Sequence, residues 1–152
     1  MKNISFELAT EDDLKELTSI SIKSFHSDIK IGADILKGPP GYNSLEFHKK
    51  MLKKAYAFYK ITTNGSIVGA FWFMKEENNT AYLYRIFVNP DCHRQGIGEK
   101  AFGFLFNTFP EIKNWELKTP KWNKRTPKFY NKVGFKITRE DERFNYFGKR
   151  IE

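Results

Sequence analysis

At 152 residues, of which 40% are hydrophobic and 16% aromatic, the chain has the size of one ordinary domain and enough apolar mass to bury a core. Its longest apolar run, Ile67 to Met74, falls far short of the roughly 20 residues a membrane-spanning helix needs. A single cysteine excludes an internal disulfide, and the N-terminus lacks a charged-then-apolar signal layout, so a cytoplasmic chain without membrane association is expected. The net charge of +8 suits polyanions in general, whether nucleic acid, an anionic surface or a phosphorylated small molecule. The basic residues are dispersed, and the densest stretch, Lys118 to Lys132, is interrupted by Trp122, Phe129 and Tyr130. That pattern describes a folded basic surface rather than a tail.

Ile4 to Leu8 alternates as a short strand. Thr10-Glu11-Asp12-Asp13 then supplies a capping hydroxyl and an acidic first turn for a helix with an apolar face of Leu14, Leu17, Ser21 and Phe25. Gly38-Pro39-Pro40-Gly41 breaks regular structure, and Ser44 caps a second helix through Leu45, His48 and Leu52. From there the pattern turns aromatic and β-branched. Asn64-Gly65 and Asn78-Asn79 read as tight turns joining antiparallel strands Tyr56–Thr62, Ser66–Met74 and Thr80–Val88. Helical spacing returns in Ala101, Phe102, Leu105, Phe106 and Phe109, followed by a strand at Trp115–Thr119 and a helix over Pro127–Val133 that Gly134 stops. Phe135–Arg139 and Phe144–Arg150 complete the strands. Without repeats or linkers, the prediction is one α+β domain around a mixed, mainly antiparallel sheet.

The sharpest local signal is His93-Arg94-Gln95-Gly96-Ile97-Gly98, which follows a strand and turn and opens an amphipathic helix. Glycines there let backbone approach a ligand, and the first helical amides, lacking internal acceptors, point at whatever occupies the N-terminus. Phosphate is the natural occupant, with Arg94 and Lys100 able to add charge-assisted contacts. The three spaced glycines of a dinucleotide fold and the Gly-Lys-Ser/Thr of a nucleoside-triphosphate loop are both missing.

This stretch resembles the signature of the GCN5-related N-acetyltransferase superfamily: Gln or Arg, two residues, Gly, one residue, then Gly or Ala. Ile86-Phe87-Val88-Asn89-Pro90 stands where that family ends a strand before its loop. Asn123, Phe129, Tyr130, Gly134 and Phe135 match its later helix, and the likeness is clearest from Thr80 to Ile137. The resemblance implies one acetyltransferase domain over residues 1–152, with about seven strands and about four helices. It also implies acetyl-CoA as co-substrate, no metal, and homodimers as among relatives. The amides of His93, Arg94, Gln95, Gly96, Ile97 and Gly98 would hold the pyrophosphate, and the backbone at Phe87 and Val88 would pair with the pantetheine arm. Asn123, Phe129 and Tyr130 would touch the coenzyme, with Tyr130 near the thioester sulfur. His93 departs from the family's first signature residue, which leaves the backbone amides unchanged.

Direct attack by an amine needs a proton acceptor for the amine and a stabiliser for the departing thiolate. Tyr130 is the candidate acid, since a phenol of pKa about 10 hydrogen-bonds readily to a thiolate whose conjugate acid is about 8.5. The base is less evident, because Thr80 to Val88 contains no carboxylate where many relatives carry a glutamate. His26, Asp28 and His48, in the helix-loop-helix excursion, are candidates, as are capping roles for each. Tyr84 and Arg85 occupy the strand positions to inspect in place of that glutamate, and Arg85 would bind an acidic acceptor or pair with a carboxylate of the fold. Cys92 reads as a surface thiol. The expected activity is acetyl transfer to a primary amine, on a small molecule in preference to a peptide or protein. An inactive acyl-CoA-binding regulator and a basic module that stacks single-stranded nucleic acid are the alternatives, and the second leaves the glycine turn unexplained.

Overall fold

The computed structural model describes residues 3–27, 38–93 and 95–152. The chain order is β1 (Ile4–Leu8), α1 (Leu14–His26), α2 (Leu45–Lys54), β2 (Ala57–Thr63), β3 (Ser66–Glu76), β4 (Thr80–Val88), α3 (Ile97–Thr108), β5 (Asn114–Pro120), α4 (Thr126–Lys132), β6 (Lys136–Glu140) and β7 (Phe144–Arg150). Each strand and helix expected from the sequence is present, with boundaries displaced by one or two residues at most of the ends. One start differs more. Thr10 N–H donates to Asp13 Oδ2 at 2.8 Å over a short 3-10 turn, Glu11–Asp13, so the α-helix itself begins only at Leu14.

The strands form one sheet in the order β1-β2-β3-β4-β5-β7-β6. Every neighbouring pair is antiparallel except β4 and β5, which run parallel. The two meander turns have the backbone their residues favour: Asn64 and Gly65 lie at φ 49° and 86°, and Asn78 and Asn79 at 60° and 55°. Consecutive left-handed residues match the strand twist of a tight hairpin.

Both faces of the sheet are covered. On one face, α3 and α4 pack Ile97, Ala101, Phe102, Leu105 and Tyr130 against Phe71, Phe73, Leu83, Trp115 and Phe147. On the other, α1 and α2 bring Leu14, Leu17, Ile20 and Met51 onto Phe58, Ala70, Trp72 and Phe87. The central strand β3 is accordingly buried from Val68 to Phe73 on successive residues, where a half-covered strand would alternate. Among the described residues no helix is long and apolar enough to cross a membrane.

Candidate active site

The site originates in an interruption of the sheet. β4 and β5 register at Thr80 with Asn114, Ala81 with Trp115 and Tyr82 with Glu116. Beyond Tyr82 that register ends, although β4 continues to Val88 and β5 to Pro120. An irregularity coincides with the parting: Phe73 pairs with Leu83 and Trp72 with Arg85, so Tyr84 is the extra residue of a β-bulge. A bulge bends its strand and raises the local twist. It also changes which side chains share a face. Leu83 belongs to the α3/α4 layer, whereas Tyr84 and Phe87 pack in the α1/α2 layer.

A cleft of about 560 Å³ opens where the strands separate. Ile86, Phe87 and Val88 of β4 form one wall, Asn123, Arg125 and Phe129 another, and Gly96 to Glu99 the floor at the N-terminus of α3. The loop geometry explains its glycines separately. Gly96 sits at φ +75°, and an added Cβ there would meet nothing within 4 Å, so conformation alone requires glycine and the space outside is open. At Gly98 a Cβ would lie 2.7 Å from Cζ of Phe129. That glycine makes room for the aromatic wall and itself lines the cleft. The first α-helical bond runs from Lys100 N–H to Gly96 O at 3.1 Å, leaving the amides of Ile97, Gly98 and Glu99 without helical acceptors. With the positive end of the helix dipole, they form a binding edge for an anion. These open amides and the unpaired edge of β4 fit the pyrophosphate and amide-bearing arm of a coenzyme A thioester.

His93 Nε2 lies 3.1 Å from the Val88 carbonyl oxygen, so its ring N–H donates back to β4 and ties the loop to the strand. Burial holds its pKa below the ordinary 6.5, with Arg125 acting in the same direction. Asn123 is buried, and its Oδ1 accepts from the amides of Arg125 at 3.1 Å and Thr126 at 3.3 Å. It thereby braces the turn leading into α4, whose N-cap position is Arg125. Lys132 Nζ reaches Glu99 Oε1 at 2.8 Å and joins α4 to α3. Gln95 is exposed beside Gly96. Cys92, read from the sequence as a surface thiol, is half-buried and lines the cleft. Arg94 and Asp28, both named from the sequence, lie outside the described residues.

Tyr130 is 7% exposed, and its ring packs with Phe102, Phe135 and Phe147 at centroid distances of 5.9, 6.0 and 5.5 Å. Phe129 is the member of the pair that lines the cleft. Burial raises the Tyr130 pKa well above that of a free phenol, so the hydroxyl keeps its proton at neutral pH.

At the acceptor end, Arg85 is 9% exposed and its Nη1 has no partner. Its guanidinium carbon lies 5.9, 5.1, 5.8 and 5.4 Å from the ring centroids of Phe25, Phe47, Trp72 and Tyr84. Among the described residues no carboxylate pairs with it. Burial pulls its pKa down to about 10. His48 is fully buried, with Nδ1 2.8 Å from the Ser44 carbonyl and 3.0 Å from Thr18 Oγ1. A proton on Nδ1 satisfies that carbonyl and leaves Nε2 as a bare, unpartnered acceptor. Burial first, then the Arg85 charge, lower the His48 pKa. His26 Nε2 and the Tyr42 hydroxyl are 2.8 Å apart, tying the end of α1 to the Gly38–Tyr42 turn. The structure thus gathers Tyr84, Arg85 and His48 around Trp72 and Phe47. Phe25, Phe47 and Trp72 were not legible as site residues, because apolar periodicity marks core and cage alike.

A parallel pair that splays beside a glycine turn, with a helix N-terminus at the opening, gives the cleft an anion-binding floor and an open strand edge. The acetyltransferase (GNAT) family model matches residues 24–135, and the chain belongs to that family. It is 32% identical over 138 residues to the uncharacterized protein YrkN of Bacillus subtilis (strain 168), covering 88% of this chain and 74% of that one. Its fold is similar to the PaiA N-acetyltransferase of Thermoplasma acidophilum, solved with coenzyme A, at a TM-score of 0.85 and 18% identity over 98% and 99% of the two chains. It is also similar to the ribosomal-protein-S18-alanine N-acetyltransferase of Escherichia coli, at 0.72 and 18% identity over 100% and 95%.

Proposed function

We propose that the chain is a single acetyltransferase domain, residues 1–152, moving acetyl from acetyl-CoA to a primary amine by direct attack. The observation that carries this reading is the cleft between the splayed ends of β4 and β5, with the free amides of α3 at its floor. The amides of Ile97 and Gly98, within the His93 to Gly98 loop, hold the pyrophosphate. The edge of β4 at Phe87 and Val88 takes the pantetheine arm as an added strand, and Asn123 and Phe129 bound it from α4. Tyr130, next to the cleft-lining Phe129, is assigned the hydrogen bond to the sulfur as thiolate develops; burial raises its pKa and makes it a weaker proton donor than a free phenol, so it stabilises the thiolate without transferring its proton. Both solved neighbours described above are N-acetyltransferases, which supports an amine acceptor.

Balance requires the amine to lose one proton as its nitrogen bonds the acetyl carbon and the carbon-sulfur bond breaks. β4 offers no carboxylate, and His48 is sealed within the protein at 0% exposure. The proton acceptor therefore lies outside β4 and His48, either on the helix-loop-helix excursion that carries His26 or in a relayed water. The absent carboxylate also favours a second reading, a regulator that binds acyl-CoA without turnover. Calorimetric titration with acetyl-CoA and CoA, followed by thiol release against a panel of amines, separates the readings. Micromolar binding with turnover is expected. Binding without turnover on any amine supports the regulator, and no binding overturns both.

A further inference from the structure

Arg85 presents a chemical imbalance. A guanidinium carries a fixed charge and five donors, and its burial is tolerated where an anion or a set of acceptors receives them. Among the described residues it is 9% exposed, its Nη1 has no partner, and four aromatic rings flank it. Those rings offer faces to a cation, but they accept no in-plane hydrogen bond of the kind the guanidinium fork makes. Its placement is equally specific. The bulge at Tyr84 turns Arg85 toward the α1/α2 layer, and Phe25, one wall of its cage, also lines the cleft. His48 contributes no negative charge, being neutral with its bare Nε2 also unpartnered.

We propose that Arg85 is a specificity residue that receives a carboxylate of the acceptor, so that the substrates are amines carrying a carboxylate group. This rests on the acetyltransferase reading above. A carboxylate matches the planar fork of arginine in two parallel hydrogen bonds, and the aromatic walls flank its plane while excluding water that would weaken the pair. The orphaned donor is thereby satisfied only when substrate is present. The cage discriminates by leaving a buried charge unpaired when an amine without a carboxylate binds.

The test uses matched probes: glycine with methylamine, L-leucine with isopentylamine, L-phenylalanine with phenethylamine, and a dipeptide with its C-terminal amide. Each is titrated calorimetrically into CoA-loaded wild-type protein and assayed for thiol release. Carboxylated members should bind at least about tenfold tighter than their partners, the range of a charge-assisted hydrogen bond. Arg85→Gln and Arg85→Met should abolish that preference while the CoA affinity stays within about twofold, and Arg85→Lys should restore part of it. Equal binding within the pairs, no binding by any carboxylated probe, or a preference that survives Arg85→Met overturns the proposal. Thermal unfolding gives an independent reading. Arg85→Met should melt no lower than wild type, since it removes an uncompensated charge, and a fall of more than about 5 °C would make Arg85 a packing residue instead. Failure of acetyl-CoA to bind wild-type protein, read in its own titration, is a failure of the acetyltransferase reading.

Discussion

Single residues divide into those that meet the reactants and those that set the protein's response to pH. Tyr130→Phe keeps the ring among Phe102, Phe135 and Phe147 and deletes only the donor. The expected result is a fall in kcat of about 10- to 100-fold with CoA affinity unchanged, measured by single-turnover acetyl transfer. An unchanged kcat removes the acid role. His48 carries a different prediction. Its folded pKa lies below the ordinary 6.5 because it is buried, so the unfolded chain binds the proton first as pH falls. Stability is complete above about pH 6.5 and declines as pH drops through the interval down to the folded value. His93 is shifted the same way and adds to the same decline. Melting temperatures from pH 7.5 to 5 should therefore fall in wild type and fall less steeply in His48→Asn; equal slopes would show that His48 is not a contributor. The sequence marks Tyr130 by its spacing from Asn123, but the sealed environment that changes His48 depends on Trp72 and Phe87, which are distant in the chain.

At the scale of elements, the proposed phosphate site is the junction of β4, the glycine turn and α3. Gly96→Val places a branched side chain at φ +75°, a strain of about 1 kcal/mol or more that the loop relieves by moving its amides. CoA affinity should drop by about tenfold or more with the fold retained, and wild-type affinity would exclude this turn as the phosphate site. The same junction shows why local pattern was informative only in part. The glycine turn, the two asparagine hairpins and the helix spacing are dictated by residues close in sequence, and all were legible. The bulge at Tyr84 was not, because Thr80 to Val88 reads as an uninterrupted aromatic and β-branched run. Its register is decided by pairing with Trp72 and Phe73 across the sheet.

For the molecule as a whole, sheet integrity and cleft shape are coupled at Trp115. It pairs with Ala81 in the short parallel register, just before the strands part, and packs on Phe73 and Phe106 with 0% exposure. Trp115→Ala should cost about 3–5 kcal/mol of stability, seen in denaturant unfolding. Trp115→Phe should cost much less, since it keeps an aromatic filler and removes an indole N–H that has no partner. Similar losses in both would mean that the indole itself is required. Of the aromatics that interrupt the basic stretch, Trp122 is 38% exposed, whereas Tyr130 is 7% exposed in the core and Phe129 packs beside Gly98.

Periodicity, capping residues, asparagine turns and two spaced motifs in the sequence were enough to define the elements, the α+β class and the family, because each depends on residues within a few positions of one another. The parting of β4 from β5, the division of labour between Gly96 and Gly98, and the enclosure of Arg85 by Phe25, Phe47, Trp72 and Tyr84 were settled only on folding. Burial and desolvation are properties of neighbours brought from α1, α2, β3 and β4 at once. No stretch of sequence encodes them alone.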